Sequence, residues 1–203
     1  MRELVVGMPT RNGMSVTLTS LTLFTVAGML KRPVVLTVAE AGNIPRSRNM
    51  VMQHVRAKYP ERERAWILWV DSDIHVPSDC AKDIASAIEI AERTKRSWVA
   101  NYRQSDGANV LIKERSLYGA EHYTDEELLA LPDFSEIPMA GFGFSYVNTP
   151  LGYMFHADEA GEDVHFALDN PEVRFHFARN VKAIHKKQVD LHGPATWLYE
   201  VPV

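Results

Sequence analysis

The run Trp66-Ile67-Leu68-Trp69-Val70 stops abruptly at Asp71-Ser72-Asp73-Ile74. It is too short for a helix and rich in aromatic and branched side chains, which predicts a strand buried on both faces. Such a strand needs a layer above and below it, so the chain is expected to build an α/β sheet covered by helices. In open α/β sheets, ligands bind just beyond the carboxyl ends of the strands, which sets Asp71 and Asp73 at a crevice. Two carboxylates there can hold a hard divalent cation, and that cation can hold a phosphate. The competing reading is that Asp73 only turns the chain toward the next helix.

The flanking sequence alternates in the same way. Leu4 to Gly7 reads as a strand and Pro9 to Gly13 as a turn. A largely buried helix over residues 15–30, with Ser15 as N-cap, is expected next. Val34 to Val38 reads as a second strand. Pro45 suits the first turn of a helix that runs to about Tyr59 and is closed by Pro60. A helix beginning at Ser78 or Asp79 buries Ala81, Ile84, Ala85 and Ile88, and Ser97 to Tyr102 is a fourth strand. The expected architecture is one domain with a mostly parallel central sheet and helices on both faces. The pattern loosens after about residue 104, where Thr124-Asp125-Glu126-Glu127 forms a capping box and a last helical piece begins near Glu162.

Composition excludes several classes. A net charge of −4 over 203 residues argues against a general nucleic-acid binder. A single cysteine, Cys80, allows no intrachain disulfide and no cysteine-rich metal motif. Residues 14–30 carry no charge, but six Ser and Thr side chains interrupt them and they fall short of a full span, so no transmembrane segment is expected.

Four further places carry chemistry. Arg46 and Arg48 occupy the first turn of the second helix, where the dipole favours acids; either that turn is simply exposed, or an anion such as a diphosphate sits against it. Glu162-Asp163 either complements a helix N-terminus or supplies a general base. His192, followed by Gly193, and then His185 are candidates for a third ligand beside two carboxylates, a set that suits Mn²⁺. Gly141 and Gly143 permit close backbone approach of a ligand, or simply bend the chain into a strand. Phe142 and Phe144 read as core, and Trp197 either stacks on a ligand or packs.

The order of these pieces is a Pro-Thr-Arg turn, Ile-Pro-Arg-Ser-Arg-Asn, Asp-Ser-Asp-Ile, Gly-Phe-Gly-Phe, Glu-Asp and a late His-Gly. It resembles the GT-A fold glycosyltransferases, the nucleotide-diphospho-sugar transferases, especially small microbial and viral members. The arginine helix followed by the aspartate strand is also similar to the fungal mannan-synthesising transferases. The resemblance spans about residues 4–193. It implies that Pro9, Thr10 and Arg11 hold the nucleoside, and that Arg46 and Arg48 approach the diphosphate. It implies that Asp71 and Asp73 bind Mn²⁺ or Mg²⁺, with Asp73 the direct ligand and His192 completing the site. Gly141, Phe142, Gly143 and Phe144 would line the sugar and acceptor site, and Asp163 would be the base of an inverting reaction. Residues 1–103 would then bind the donor, and residues 104–203 would serve a glycan, glycoprotein or other hydroxyl acceptor. A cytoplasmic location is expected, in the host if the source is viral. The helix after Asp163 departs from the family pattern at Asp169-Asn170-Pro171, and the segment holding His185 and His192 admits two alignments. Two other readings remain. A sugar-phosphate nucleotidyltransferase would want a more glycine-rich and basic loop than Gly7 to Gly13 provides. An inactive nucleotide- or glycan-binding module would not need both acidic pairs.

Overall fold

The computed structural model describes residues 3–10, 17–41, 43–104, 107–114, 121–156, 161–189 and 196–199. Its centre is a seven-stranded sheet. The strands, in chain order, are β1 (Leu4–Thr10), β2 (Val34–Glu40), β3 (Arg64–Val70), β5 (Ser97–Asn101), β7 (Ser135–Ile137), β9 (Phe144–Pro150) and β10 (Phe175–Lys182). They lie side by side as β2-β1-β3-β9-β5-β10-β7. Strands β2, β1, β3, β5 and β10 run one way, and β9 and β7 run the other. The sheet is therefore mostly parallel and Rossmann-like, as expected. Short pairs complete it. β4 (Ile74–His75) joins β11 (Ile184–Val189) and β12 (Thr196–Tyr199), and β6 (Leu111–Ile112) pairs with β8 (Met139–Ala140).

Period-two alternation divides the core into two layers. Val5, Ile67 and Trp69 face helix α2 (Ile44–Lys58) and helix α5 (Glu162–Asp169), where Val51, Met52, Val55 and Phe166 pack. Leu4, Val6, Leu68 and Val70 face helix α1 (Thr17–Met29) and helix α3 (Ala81–Thr94), where Leu23, Val26, Ile84 and Ile88 pack. A strand covered on both sides needs an unbroken apolar run, and β3 buries everything from Ala65 to Val70. Each fully buried aliphatic side chain of this kind contributes about 1.5–3 kcal/mol.

Three expectations change. Strand β1 extends through Pro9 and Thr10, which pair with Ala39 and Glu40 of β2, so these residues belong to the strand and not to a turn. Proline fits there because pairing with β3 is confined to Val5–Gly7, so its missing N–H costs no ladder bond on that side. Helix α1 is only half buried: Leu21, Phe24 and Met29 are exposed. Its threonines serve the opposite face. Thr19 Oγ1 donates to the Ile74 carbonyl and accepts from Val76 N–H, both at 3.1 Å, and Thr22 Oγ1 donates to the Val76 carbonyl at 3.0 Å. Ser15 lies outside the described residues. Finally, antiparallel β9 is inserted between β3 and β5, a neighbour that order along the chain does not reveal.

Helix signals match the expected chemistry. Helix α4 (Asp125–Ala130) starts with the full Thr124/Glu127 capping box. Helix α2 starts one residue before Pro45, with Asn43 Oδ1 accepting the Arg46 N–H at 2.9 Å. Among the described residues, no helix is long and apolar enough to cross a membrane.

Candidate active site

The buried stripe of α2 begins Ser47, Arg48 and continues through Val51, Met52 and Val55. Ser47 Oγ donates to the Thr10 carbonyl at 3.0 Å and fastens the start of the helix to the tip of β1. Arg48 lies three, four and seven residues before Val51, Met52 and Val55, so it shares their inward face and is fully buried. A buried guanidinium has to be paired, and three carboxylates meet it. Arg48 Nη2 donates to Asp71 Oδ1 at 3.1 Å, and Nε donates to Glu162 Oε1 at 3.2 Å. Asp163 Oδ1 stands 3.7 Å from Nη2. Trp69, Phe142 and Phe155 surround the cation, with ring centroids 5.4, 5.6 and 5.8 Å from its central carbon, the arrangement favoured for a cation over π faces. Asn49 holds Phe155 in place by donating to its carbonyl at 3.0 Å and accepting its N–H at 2.7 Å.

Asp71 follows β3 directly, and its backbone N–H donates to the Gly143 carbonyl at 2.8 Å. Asp73 is half exposed, and its Oδ2 lies 3.1 Å from His185 Nε2. The pairing of β11 with β4 sets His185 opposite Ile74 and so delivers this histidine. Asp163 Oδ2 accepts the Phe142 N–H at 3.0 Å, and the Tyr102 hydroxyl accepts the Gly143 N–H at 3.0 Å. Asp163 Oδ1 is buried without a hydrogen bond among the described residues.

Burial works against the charged forms here, and too few cations offset it. Asp71 is pushed up to about 6 by burial, with Arg48 pulling it back down and Asp73 and Glu162 adding to the rise. Asp163 is pushed up to about 8 by burial and by Glu162, against Arg48. The Tyr102 phenol is raised well above its ordinary value, first by burial and then by Asp71 and Asp163. His185 is raised by its bond to Asp73. Asp71, Asp73, Glu162 and Asp163 thus surround one guanidinium and one imidazole, leaving an excess of negative charge at a strand tip.

The two glycines are required by this crowding. A Cβ on Gly143 would fall 2.7 Å from Tyr102 Cζ and 3.3 Å from Asp71 Oδ2, and one on Gly141 would fall 2.5 Å from Val110 Cγ2. Gly143→Ala is expected to lower the free energy of unfolding by about 1–3 kcal/mol through overpacking. Gly152→Ala, with open space around it, is expected to stay within about 0.5 kcal/mol. Chemical denaturation of both variants checks the contrast.

The sequence-derived site residues fall into several groups. Asp71, Asp73, Asp163, Arg48, Gly141, Phe142 and Gly143 come together. Phe142 and Phe144 are core, fully buried. Pro9 and Thr10 sit at the buried tip of β1, and the Thr10 hydroxyl has no hydrogen-bond partner among the described residues. Arg46 and Arg48 differ in place: Arg48 is buried, gives Nη2 and Nε to carboxylates and keeps Nη1 without a hydrogen-bond partner among the described residues, whereas Arg46 is exposed and its backbone N–H bonds Asn43 Oδ1. Arg11, His192 and the side chain of Trp197 lie outside what the structure describes. Two participants went unseen in the sequence, Tyr102 and the pairing role of Glu162. Tyr102 follows strand β5 as Asp71 follows β3, and the same strand-end rule finds it.

Among the described residues, no group of three or more His, Cys, Asp and Glu side chains is gathered as a bound metal ion requires. Asp71 and the half-exposed Asp73, with His185 Nε2 3.1 Å from Asp73 Oδ2, are the oxygen and nitrogen donors there that a divalent cation could use.

No family model and no curated protein matches the chain. Among solved structures, the chain is similar to the crystal structure of a glycosyltransferase involved in the glycosylation of the major capsid of PBCV-1. The identity is 14%, and the match covers 72% of this chain and 60% of that one, with a TM-score of 0.38. An overlap of that extent says nothing about activity, so function has to be read from the site itself.

Proposed function

We propose that the chain is a metal-dependent glycosyltransferase that moves a sugar from a nucleotide-diphospho-sugar donor to an acceptor hydroxyl with inversion. The observation that carries this reading is the gathering of Asp71, Glu162 and Asp163 around buried Arg48, with Asp73 beside them, at the carboxyl ends of the strands. Residues 1–103 form the donor half and residues 104–203 the acceptor half. Asp71 and Asp73 would hold Mn²⁺ or Mg²⁺ together with His185 or His192, and the ion would supply charge neutralisation for the departing diphosphate. Pro9, Thr10 and Arg11 accommodate the nucleoside beside the tip of β1.

The chain's own groups do the rest. The acceptor oxygen attacks the anomeric carbon, the bond from that carbon to the β-phosphate oxygen breaks, and Asp163 takes the acceptor proton. A base is most effective when its pKa lies near the working pH, and burial with Glu162 lifts Asp163 toward that range. Arg48 is a positioning residue in this scheme. It keeps Asp71 and Asp163 apart in role while holding both at one place.

A melting panel with UDP, GDP, CDP, ADP and dTDP, each with and without Mn²⁺, tests the reading. A ligand that binds the native state alone raises the melting temperature. One nucleotide is expected to do so only with Mn²⁺, and Asp73→Asn is expected to abolish the metal-dependent part. A flat panel, or a shift indifferent to Mn²⁺, removes the proposal.

A further inference from the structure

A cavity of about 230 Å³ opens at the carboxyl ends of β5 and β10, and it shares Tyr102 and His185 with the carboxylate site. Leu128, Phe177 and Val181 supply apolar lining, and Arg103, Asp125, Arg179 and Lys182 also line it. A large β-bulge in β10 accounts for its shape. The stretch from Phe177 to Lys182 spans only Val99 to Asn101 on β5. Bulges of this kind re-aim side chains beside functional sites. Asp133 pins this one by accepting the Arg179 backbone N–H at 2.9 Å and the Asn180 amide at 3.3 Å.

Two cations of the bulge are without an ion pair among the described residues. Arg103 is paired with Asp125. Among the described residues, the Arg179 guanidinium donates to the Leu131 carbonyl at 3.3 Å, and neither Arg179 nor Lys182 makes an ion pair. A chain with a net charge of −4 therefore sets two unpaired cations on the rim of a pocket that adjoins a carboxylate-rich site. Neighbouring strands are about 4.8 Å apart. In the strand order, β5 and β10 lie on the far side of Asp71 from β1, so the cavity is displaced from the β1 tip assigned to the nucleoside by several strand widths.

We propose that this cavity is the acceptor pocket and that the acceptor group entering it is a sugar-sized body carrying an anion, either a carboxylate or a phosphate. The assignment as acceptor pocket rests on the transferase reading; the anion selectivity rests on Arg179, Lys182 and the bulge. A cavity of this volume is smaller than the roughly 300–1,000 Å³ of drug-sized pockets, so one monosaccharide unit is the matching size.

Binding of glucuronate, glucose 6-phosphate and glucose to the full chain, followed by ligand-observed NMR, tests the proposal. At least one of the two anions is expected to bind tenfold or more tighter than glucose, and the tighter one identifies the charged group. Arg179→Ala/Lys182→Ala is expected to bring the anions to the level of glucose while melting as the parent does. Arg179→Lys with Lys182 retained is expected to keep the preference. Equal binding of glucose and both anions, or full anion binding by the double alanine variant, overturns the proposal. Binding of a nucleoside diphosphate with Mn²⁺, measured in parallel, separates the two readings. Nucleotide binding without anion preference leaves the transferase and removes the pocket. Anion preference without nucleotide binding removes the transferase and, with it, the assignment to an acceptor.

Discussion

Asp163→Asn is expected to lower sugar transfer by about 10²- to 10⁴-fold, the usual contribution of a positioned general base, and to make the ligand-free protein more stable at pH 8. The two effects share one cause. Asp163 is crowded by Glu162 and Asp71 and buried, so its folded-state pKa lies above that of the unfolded chain. Where the folded state binds more protons than the unfolded state, stability falls as pH rises. The stabilisation from the protonated form is complete below the unfolded value of 3.8 and is lost as pH climbs through about 8 for Asp163; for Asp71 the loss comes through about 6. The melting temperature of the parent chain is therefore expected to decline between pH 5 and pH 8.5. Asparagine keeps the acceptor oxygen for the Phe142 N–H but has no charge to expose, so the decline should be shallower in the variant. Thermal melts across that range, with turnover at pH 7.5, measure both effects. A variant that transfers sugar normally, or one whose pH profile matches the parent, contradicts the assigned role.

Arg48→Met is expected to be the most destabilising single change in the site. Removing one partner of a buried ion pair costs about 3–5 kcal/mol, because the charges left behind have neither water nor a counterion. Here Asp71, Glu162 and Asp163 lose their common cation, and Trp69, Phe142 and Phe155 lose the flat group they surround. For a chain of this size, each kcal/mol moves the melting temperature by about 2–4 °C, so a fall of roughly 6–20 °C is anticipated at neutral pH. The fall should shrink in acid, where the orphaned carboxylates take up protons. Arg48→Lys restores the charge without the fork of donors and should recover only part of the loss. Thermal melts at pH 5 and pH 7.5 decide the matter. A loss below about 1 kcal/mol would show that the arginine is not the keystone of the cluster.

The residues of this site differ in how openly the sequence declares them. Asp71 was legible because a doubly buried strand announces its own end, and the strand-end rule does the rest. The start of α2 and the Thr124 capping box are written in adjacent residues and could be read locally. Arg48 could not. Its partners lie 23 and 114 positions away, and nothing in Ile-Pro-Arg-Ser-Arg-Asn distinguishes the arginine that turns inward from Arg46, which stays in solvent. The distinction is helical spacing: Arg48 lies three, four and seven residues before Val51, Met52 and Val55 and shares their buried face, and Arg46 does not. Antiparallel β9 was hidden for a related reason. Alternation reveals a strand but not its neighbour, and β9 reaches its place beside β3 from about 80 residues further along the chain. His185 reached Asp73 through the two-residue β4–β11 pairing, a contact too short to leave a periodic signal.

The decisive measurement is the Mn²⁺ electron paramagnetic resonance spectrum of the full chain with the nucleotide that shifts its melting temperature. Bound manganese broadened by phosphate coordination is expected with the parent chain, and that signal should vanish in Asp73→Asn while the variant stays folded. A free-ion spectrum with the parent, or a bound-ion spectrum that survives Asp73→Asn unchanged, would mean that the aspartates at this strand tip do not hold a donor through a metal.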